Sequence, residues 1–299
     1  MIYTLGESLL DIIISPDGQT VARPGGSQLN VAVSLGRAGR DVTMISETGE
    51  DVPGKMLTDF LSENGVATNL IRNYPESKTS LAVAVLDKQK KPTYSFYKMY
   101  PEKRALKDPP EFFPEDIFSF GSMYSCDPGI KKSLEEYRNK AYKGGATIIY
   151  DPNVRQHHRI RQGVSGEMLL ENLAVANIIK GSDEDFENIF GVVSLAEIIK
   201  EVREINKEAV LVITLGSKGS VAYYKEMEVR VPAQKIDVVS TIGAGDAFTA
   251  GMISAFTGMG LSGNLQALEK RHLQKMLEEG TRFSALVCQS MDNYIPAGK

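Results

Sequence analysis

Ser240-Thr241-Ile242-Gly243-Ala244-Gly245-Asp246-Ala247-Phe248 is the stretch on which the reading of this chain turns. Gly243-Ala244-Gly245 lets the backbone turn tightly and present successive N–H groups, and the small apolar residues after it, Ala247–Phe256, read as a helix. A helix start carries unpaired N–H groups and the positive end of the dipole, which suits a phosphate or a developing oxyanion. Asp246 at the same start opposes anion binding unless its carboxylate has a task, and taking a proton from an attacking hydroxyl is such a task. The plainer reading makes the glycines an ordinary loop and Asp246 an N-cap; for a generic Gly-X-Gly-Asp it prevails. The stretch is not a Walker A loop, and Phe248 occupies the third glycine position of a dinucleotide fingerprint.

Upstream, short apolar runs alternate with amphipathic stretches, the signature of βαβ units around a parallel sheet. The runs are Ile2–Leu5, Val42–Ile45, Ala146–Tyr150, Ile178–Ile179 and Val210–Leu215; several are apolar throughout, as strands covered on both faces are. Helices are expected over Ser27–Ala38, Gly54–Asn64, Ile130–Lys143, Leu195–Asn206 and Asp246–Phe256, with Gly39, Gly65 and Gly144 as stops. Two pieces break the alternation. Ile12–Val21 reads as a hairpin turning at Pro16-Asp17-Gly18, and Ser80–Leu86 with Pro92–Lys98 reads as two strands joined by the charged turn Asp87–Lys91. Tyr94, Phe96 and Lys98 alternate with Ser95 and Tyr97 as on a half-exposed strand. The expectation is one doubly wound α/β domain over residues 1–299, with a small β-sheet lid from insertions at about 12–23 and 80–99.

Composition narrows the function. With 299 residues, 42% of them hydrophobic, the chain can bury a full core without staples. Lys and Arg number 34 against 38 Asp and Glu, a net charge of −4, which gives no broad reason to bind nucleic acid or an anionic membrane. Cys126 and Cys288 are too few and too far apart for a disulfide framework or a zinc site, and adjacent His157 and His158 lack metal-ligand spacing. No basic leader opens the chain and no run of about 18 apolar residues occurs, so a cytoplasmic protein without a membrane span is expected.

Other candidate residues follow strand ends, where α/β sheets bind ligands. Gly25-Gly26 before a helix allows close approach to the backbone, and Asn30 both donates and accepts, as sugar hydroxyls require. A carboxylate such as Asp11 can accept from two neighbouring hydroxyls. Thr214-Leu215-Gly216-Ser217-Lys218-Gly219 is either a ligand-lining turn or a plain corner into Ser220–Tyr224. The acidic run Asp183-Glu184-Asp185 is either a metal-organising segment or an acidic helix start.

Together these segments resemble the ribokinase–fructokinase (PfkB) family of carbohydrate kinases. Its second signature, Asp-Thr-x-Gly-Ala-Gly-Asp, is matched at 240–246, and its first, Gly-Gly-x-x-x-Asn-x-Ala, at 25–32 with Gly36-Arg37-Ala38-Gly39 continuing it. The resemblance implies that the amides of Gly243, Ala244 and Gly245 form an anion hole and that Asp246 is the catalytic base. It assigns Asp11, Gly25, Gly26, Asn30, Tyr97 and Lys98 to the sugar, and Thr214, Gly216, Gly219, Asn153 and Lys180 to the nucleotide. Within Asp151-Pro152-Asn153-Val154-Arg155, Arg155 faces the transferring phosphoryl group, and Asp185 takes a Mg²⁺ role through water. Three departures matter: Ser240 replaces the Asp that helps bind an activating cation, which puts potassium dependence in doubt; Ser182 and Asp185 replace Asn and Glu; and Lys98 replaces an Arg, which disfavours an acidic sugar.

The implied activity is transfer of the γ-phosphoryl group of ATP, with Mg²⁺, to a primary hydroxyl of a small sugar. The Gly-Glu-x-Leu-x-Asp opening and the Lys-x-Ser segment point to fructose and fructose 6-phosphate. The alternatives are 2-keto-3-deoxygluconate, then ribose, or a catalytically inactive sugar- and nucleotide-binding homologue. An oxidoreductase would need a complete glycine fingerprint after the first strand, and the sequence after Leu5 lacks one. An exposed lid could also pair with a second lid across a homodimer.

Overall fold

The structure, a computed structural model, describes residues 1–87, 92–154 and 164–298. The chain begins with β1 (Ile2–Leu5), β2 (Leu9–Ile14), β3 (Thr20–Gly25), α1 (Ser27–Arg37), β4 (Val42–Gly49), α2 (Val52–Glu63) and β5 (Val66–Tyr74). It continues with β6 (Lys78–Leu86), β7 (Pro92–Met99), β8 (Ile117–Gly121), α3 (Lys131–Lys143), β9 (Thr147–Asp151), α4 (Val164–Val175) and β10 (Ile178–Ser182). Last come α5 (Asp183–Phe190), α6 (Leu195–Ile205), β11 (Val210–Thr214), β12 (Ser220–Tyr224), β13 (Met227–Val231), α7 (Ala244–Gly258) and α8 (Lys270–Cys288).

Nine strands form one sheet in the order β13-β12-β11-β10-β9-β8-β1-β4-β5. All neighbours are parallel except β12, which runs antiparallel to both β11 and β13. Successive residues of a strand face opposite sides. Val210 and Val212 thus enter one core with α1, α2, α7 and α8, while Leu211 and Ile213 enter a second with α3 to α6. This double covering is why the central strands read as uninterrupted apolar runs. The strand order reverses between β1 and β8, and a crevice opens at the carboxyl ends there.

The lid is a separate sheet, β3-β2-β6-β7, larger than the two expected insertions. The hairpin closes near Pro16 as read, with Ser15 N–H donating to the Gln19 carbonyl, but its strands extend back to Leu9 and on to Gly25. β2 and β6 pair in parallel, so the two pieces form one surface. Every described side chain of β7 is exposed, rather than alternating, because nothing covers its outer face among the described residues. Residues 88–91 of the expected charged turn, with Arg155, His157 and His158, lie outside the described residues. The stop after α3 falls at Gly144 as expected: the helix ends at Lys143, Gly144 is its C-cap, and Gly145 takes the left-handed conformation, φ 76°. None of the described helices is long and apolar enough to cross a membrane.

Helix α7 is held against α8 through glycine. A Cβ on Gly251 would lie 2.4 Å from the Glu279 carbonyl oxygen, and Gly280 gives its space to the Phe248 ring. Backbone cannot yield there as a flexible side chain could, so Gly251→Ala is expected to lower stability by about 1–3 kcal/mol. Urea unfolding measures this; an unchanged midpoint would show that the helix pair opens without cost.

Candidate active site

Gly243, at φ 80°, is the N-cap residue of α7 and provides no side-chain cap. Asp246 therefore is not a cap but the third residue of the helix, turned inward and only 7% exposed. Its Oδ1 accepts from the Ser27 hydroxyl at 2.7 Å and its Oδ2 from Asn30 Nδ2 at 2.8 Å. Asn153 Nδ2 lies 3.1 Å from the Ser27 hydroxyl and 3.5 Å from Asp246 Oδ1. Burial pushes the Asp246 carboxyl up to about 6. Hydrogen bonds from Asn30 and Ser27 pull it down, the Asp151 carboxylate adds to the rise, and the Lys180 charge lowers it. A carboxylate held by two donors yet tuned towards neutrality is suited to receive a proton near pH 7.

The approach from α1 depends on two glycines. A Cβ on Gly25 would fall 2.1 Å from Asp11 Oδ2, and one on Gly26, φ 124°, would fall 2.1 Å from the Glu7 carbonyl. The space beside these glycines thus belongs to the protein's own Asp11 and Glu7 rather than to a ligand. A cleft of about 290 Å³ opens above, lined by Asp11, Gly26, Ser27, Asn30, Tyr94, Phe96, Lys98, Asn153, Gly243 and Asp246 among others. Asn30 Oδ1 is buried and has no partner among the described residues, leaving one acceptor beside the Asp246 carboxylate. Tyr97 does not line the cleft: strand alternation places it on the face of β7 opposite Tyr94, Phe96 and Lys98.

Glu7, Ser27, Ile242 and Asn293 line the cleft without having been singled out by sequence. Glu7 anchors the lid strand, accepting from Lys98 Nζ at 3.1 Å and from the Tyr100 hydroxyl at 2.6 Å. Beneath it the Arg104 guanidinium sits 3.8 Å from the Tyr100 ring centre and pairs with Glu47 and, at 2.6 Å, with Asp127. Glu47 also accepts from the cleft-lining Tyr124.

The residues expected to form an anion hole, Gly243, Ala244 and Gly245, lie at the start of α7. The Ala244 N–H donates to the Thr241 carbonyl at 3.2 Å, so the turn itself takes one of the three expected amides. Gly245 is a first-turn residue, where amides have no intrahelical acceptor. On the nucleotide side, register pairs Ser182 of β10 with Thr214 of β11, bringing the two candidate segments together. Space around the Gly216 Cα is open, whereas Gly219 closes tightly on Val231. Asp185 serves as the helix-start partner of Ser182: Oδ2 accepts from Ser182 N–H and hydroxyl, both at 2.7 Å. Burial raises the Asp185 pKa. No three acidic, histidine or cysteine side chains converge as a metal cage among the described residues. The described donors would suit an ion that keeps its own water and arrives on phosphates better than a cage of protein ligands. Lys180 is buried against Asp151 at 2.8 Å and does not line the cleft.

A carboxylate must be ionised to accept a proton, so with Asp246 in the expected role of base, activity should be lost as pH falls through its folded pKa. We expect kcat/KM to be level above about pH 7 and to fall with a midpoint near 6. Asp246→Asn should remove that limb along with about 10²–10⁴ of kcat. Near-normal turnover in the variant would deny Asp246 its role.

The model of the pfkB family carbohydrate kinases matches residues 2–297. A fructokinase of Klebsiella pneumoniae is 28% identical over 279 residues, covering 89% of this chain and 88% of the relative. The solved structure of a Vibrio cholerae O395 fructokinase in its fructose, ADP and calcium ion bound form is similar at a TM-score of 0.85 and 20% identity. It spans 98% of this chain and 94% of that one. An aminoimidazole riboside kinase from Salmonella enterica, complexed with aminoimidazole riboside and an ATP analog, gives a TM-score of 0.82 at 21% identity, with 98% and 94% covered. With both signature segments meeting at one buried carboxylate and the match running almost end to end, the chain belongs to the pfkB family of carbohydrate kinases.

Proposed function

We propose that this sugar kinase phosphorylates fructose to fructose 6-phosphate, with Asp246 as the base. The observation that carries the reading is the Asp246 carboxylate, held by Ser27 and Asn30 at the foot of a cleft that also exposes Asp11. The primary hydroxyl of the sugar gives its proton to Asp246 while its oxygen attacks the γ-phosphorus in line; the P–O bond to ADP breaks and ADP leaves. The Gly245 amide and the α7 dipole stabilise charge on the transferred group. Asp11 and Asn30 Oδ1 accept from sugar hydroxyls. Mg²⁺ on the ATP phosphates would supply charge neutralisation when bound, and Asp185 would help hold it through water. Thr214 and the open Gly216 border the nucleotide, and Arg155 is assigned to the phosphoryl oxygens. Ser240 offers a neutral hydroxyl, which accepts from the Ile242 N–H, so the activity is expected not to require potassium.

The charge around the cleft favours a neutral acceptor over 2-keto-3-deoxygluconate. Glu7, Asp11 and Asp246 line it, and its one lining cation among the described residues, Lys98, is paired with Glu7. A second reading rests on Tyr94 and Phe96, whose rings lie 5.9 Å apart and nearly parallel on the cleft side of the lid. Such an apolar wall suits a riboside with a planar base, the ligand class of the Salmonella relative. The lid also offers a homodimer contact: β7 is an edge strand, with Tyr97 and Met99 exposed on its outer face.

ADP release would be measured with MgATP and fructose, ketodeoxygluconate, ribose, glucose, adenosine or aminoimidazole riboside, with and without potassium. Turnover confined to fructose is expected; turnover confined to the ribosides would hand the site to the second reading, and sugar binding without ADP release would mark an inactive homologue. For the dimer, sedimentation should show two chains associating and Tyr97→Lys separating them; a parent monomer at all concentrations would remove the proposal.

A further inference from the structure

Lys180 stands where the sequence suggests a nucleotide contact, but its surroundings argue for another task. Its side chain is 4% exposed and its ammonium lies 2.8 Å from Asp151 Oδ2. The same oxygen is 2.8 Å from the Thr249 hydroxyl, which also lies 3.1 Å from the Gly245 carbonyl. A Cβ on Gly245 would sit only 3.4 Å from Lys180 Nζ. The ammonium therefore lies directly beneath the first turn of α7, on the protein side of the glycine turn. Burial opposes its charge, but the carboxylates of Asp151, Asp185 and Asp246 raise its pKa above the usual lysine value, so it stays protonated.

A buried ion pair is not in itself a source of stability, because desolvating both charges offsets their attraction. This one joins β9, β10 and α7 at the point where phosphoryl charge would gather. From this geometry we infer that Lys180 is a positioning residue: a built-in counter-charge that fixes the glycine turn and Asp246 and lends positive potential to the transferring phosphoryl group, without contacting the nucleotide. The inference rests on the reading of Asp246 as the base. The charges that act most on Asp246 are Asp151 of β9 and Lys180 of β10, while Glu7, Asp11 of β2 and Lys98 of β7 line the same cleft above it. Ser27 and Asn30 of α1 and Asn153 after β9 are neutral. Removing the Lys180 charge leaves Asp151 unopposed, and Asp246 becomes harder to ionise.

The test uses Lys180→Met, the double variant Lys180→Met/Asp151→Asn, and Asp246→Asn as reference, each with thermal unfolding and a full pH–rate profile. Lys180→Met should lower kcat by about 10²-fold and move the acid limb up by about one pH unit, with KM for ATP within about threefold. The double variant, free of unpaired buried charge, should recover the unfolding midpoint and remain slow. Three results would overturn the inference: full kcat in folded Lys180→Met, an ATP KM raised more than about tenfold with the limb unmoved, or recovery of kcat in the double variant. If Asp246→Asn itself turns over normally, the reading of the base fails first, and the Lys180 inference falls with it.

Discussion

The carboxylate of Asp246 accepts one hydrogen bond from Ser27 and one from Asn30, residues 219 and 216 positions away in sequence. These contacts join the starts of α1 and α7, and much of the surrounding design keeps the two helix starts in register. Gly25 and Gly26 let α1 begin against Asp11 and the Glu7 carbonyl; Gly243 lets α7 begin against the Asn293 backbone. Gly251 and Gly280 then fix how closely α7 lies on α8. Displacing either start would strand a buried carboxylate without its donors, which is costly. Tight packing far from the cleft is thus part of the chemistry within it.

Around this joint the chain keeps its charges in two groups. At the lid, Glu7, Lys98, Arg104, Glu47 and Asp127 are tied together through Tyr100 and Tyr124. At the other end, Asp151, Lys180 and Asp185 surround the foot of α7. The Tyr100 phenol, raised in pKa by burial and by Glu7, stays protonated and so remains a donor. Each group pairs its cations and keeps one more acid than base, and the acceptor space between them is left to hydroxyls and carboxylates. A neutral polyol meets little repulsion there, while an anionic acceptor faces Glu7 and Asp11.

The sheet was legible because its central strands are buried on both faces; Ile2–Leu5 was read to the residue. β5 escaped notice because an edge strand carries polar residues such as Thr68, Asn69 and Asn73. β8 escaped because Ile117–Gly121 is short and lies behind a proline-rich approach. α8, lined by Leu273, Met276 and Leu277, was passed over although its apolar spacing is helical. At the site, the glycine motifs located Asp246 and Asn30, but a serine beginning a helix reads as a cap, so Ser27 gave no sign that its hydroxyl reaches across to α7. Alternation along β7 was visible, whereas which face meets the cleft depends on tertiary packing, and Tyr97 fell on the outer one.

The parallel pairing of β2 with β6 sets the order in which the molecule can assemble. Leu10 pairs with Leu81, a separation of roughly seventy residues that encloses α1, β4, α2 and β5. Loop closure over that distance is unfavourable until those intervening elements have packed on the main sheet. The lid therefore joins late, as a consequence of core formation rather than a seed for it. Pulsed hydrogen exchange would register this as protection of β2 and β6 trailing that of β1 and β4, which pair over a shorter separation. A chain with its core formed and its lid still open would already hold Asp246 in place, with the acceptor side of the cleft exposed to water.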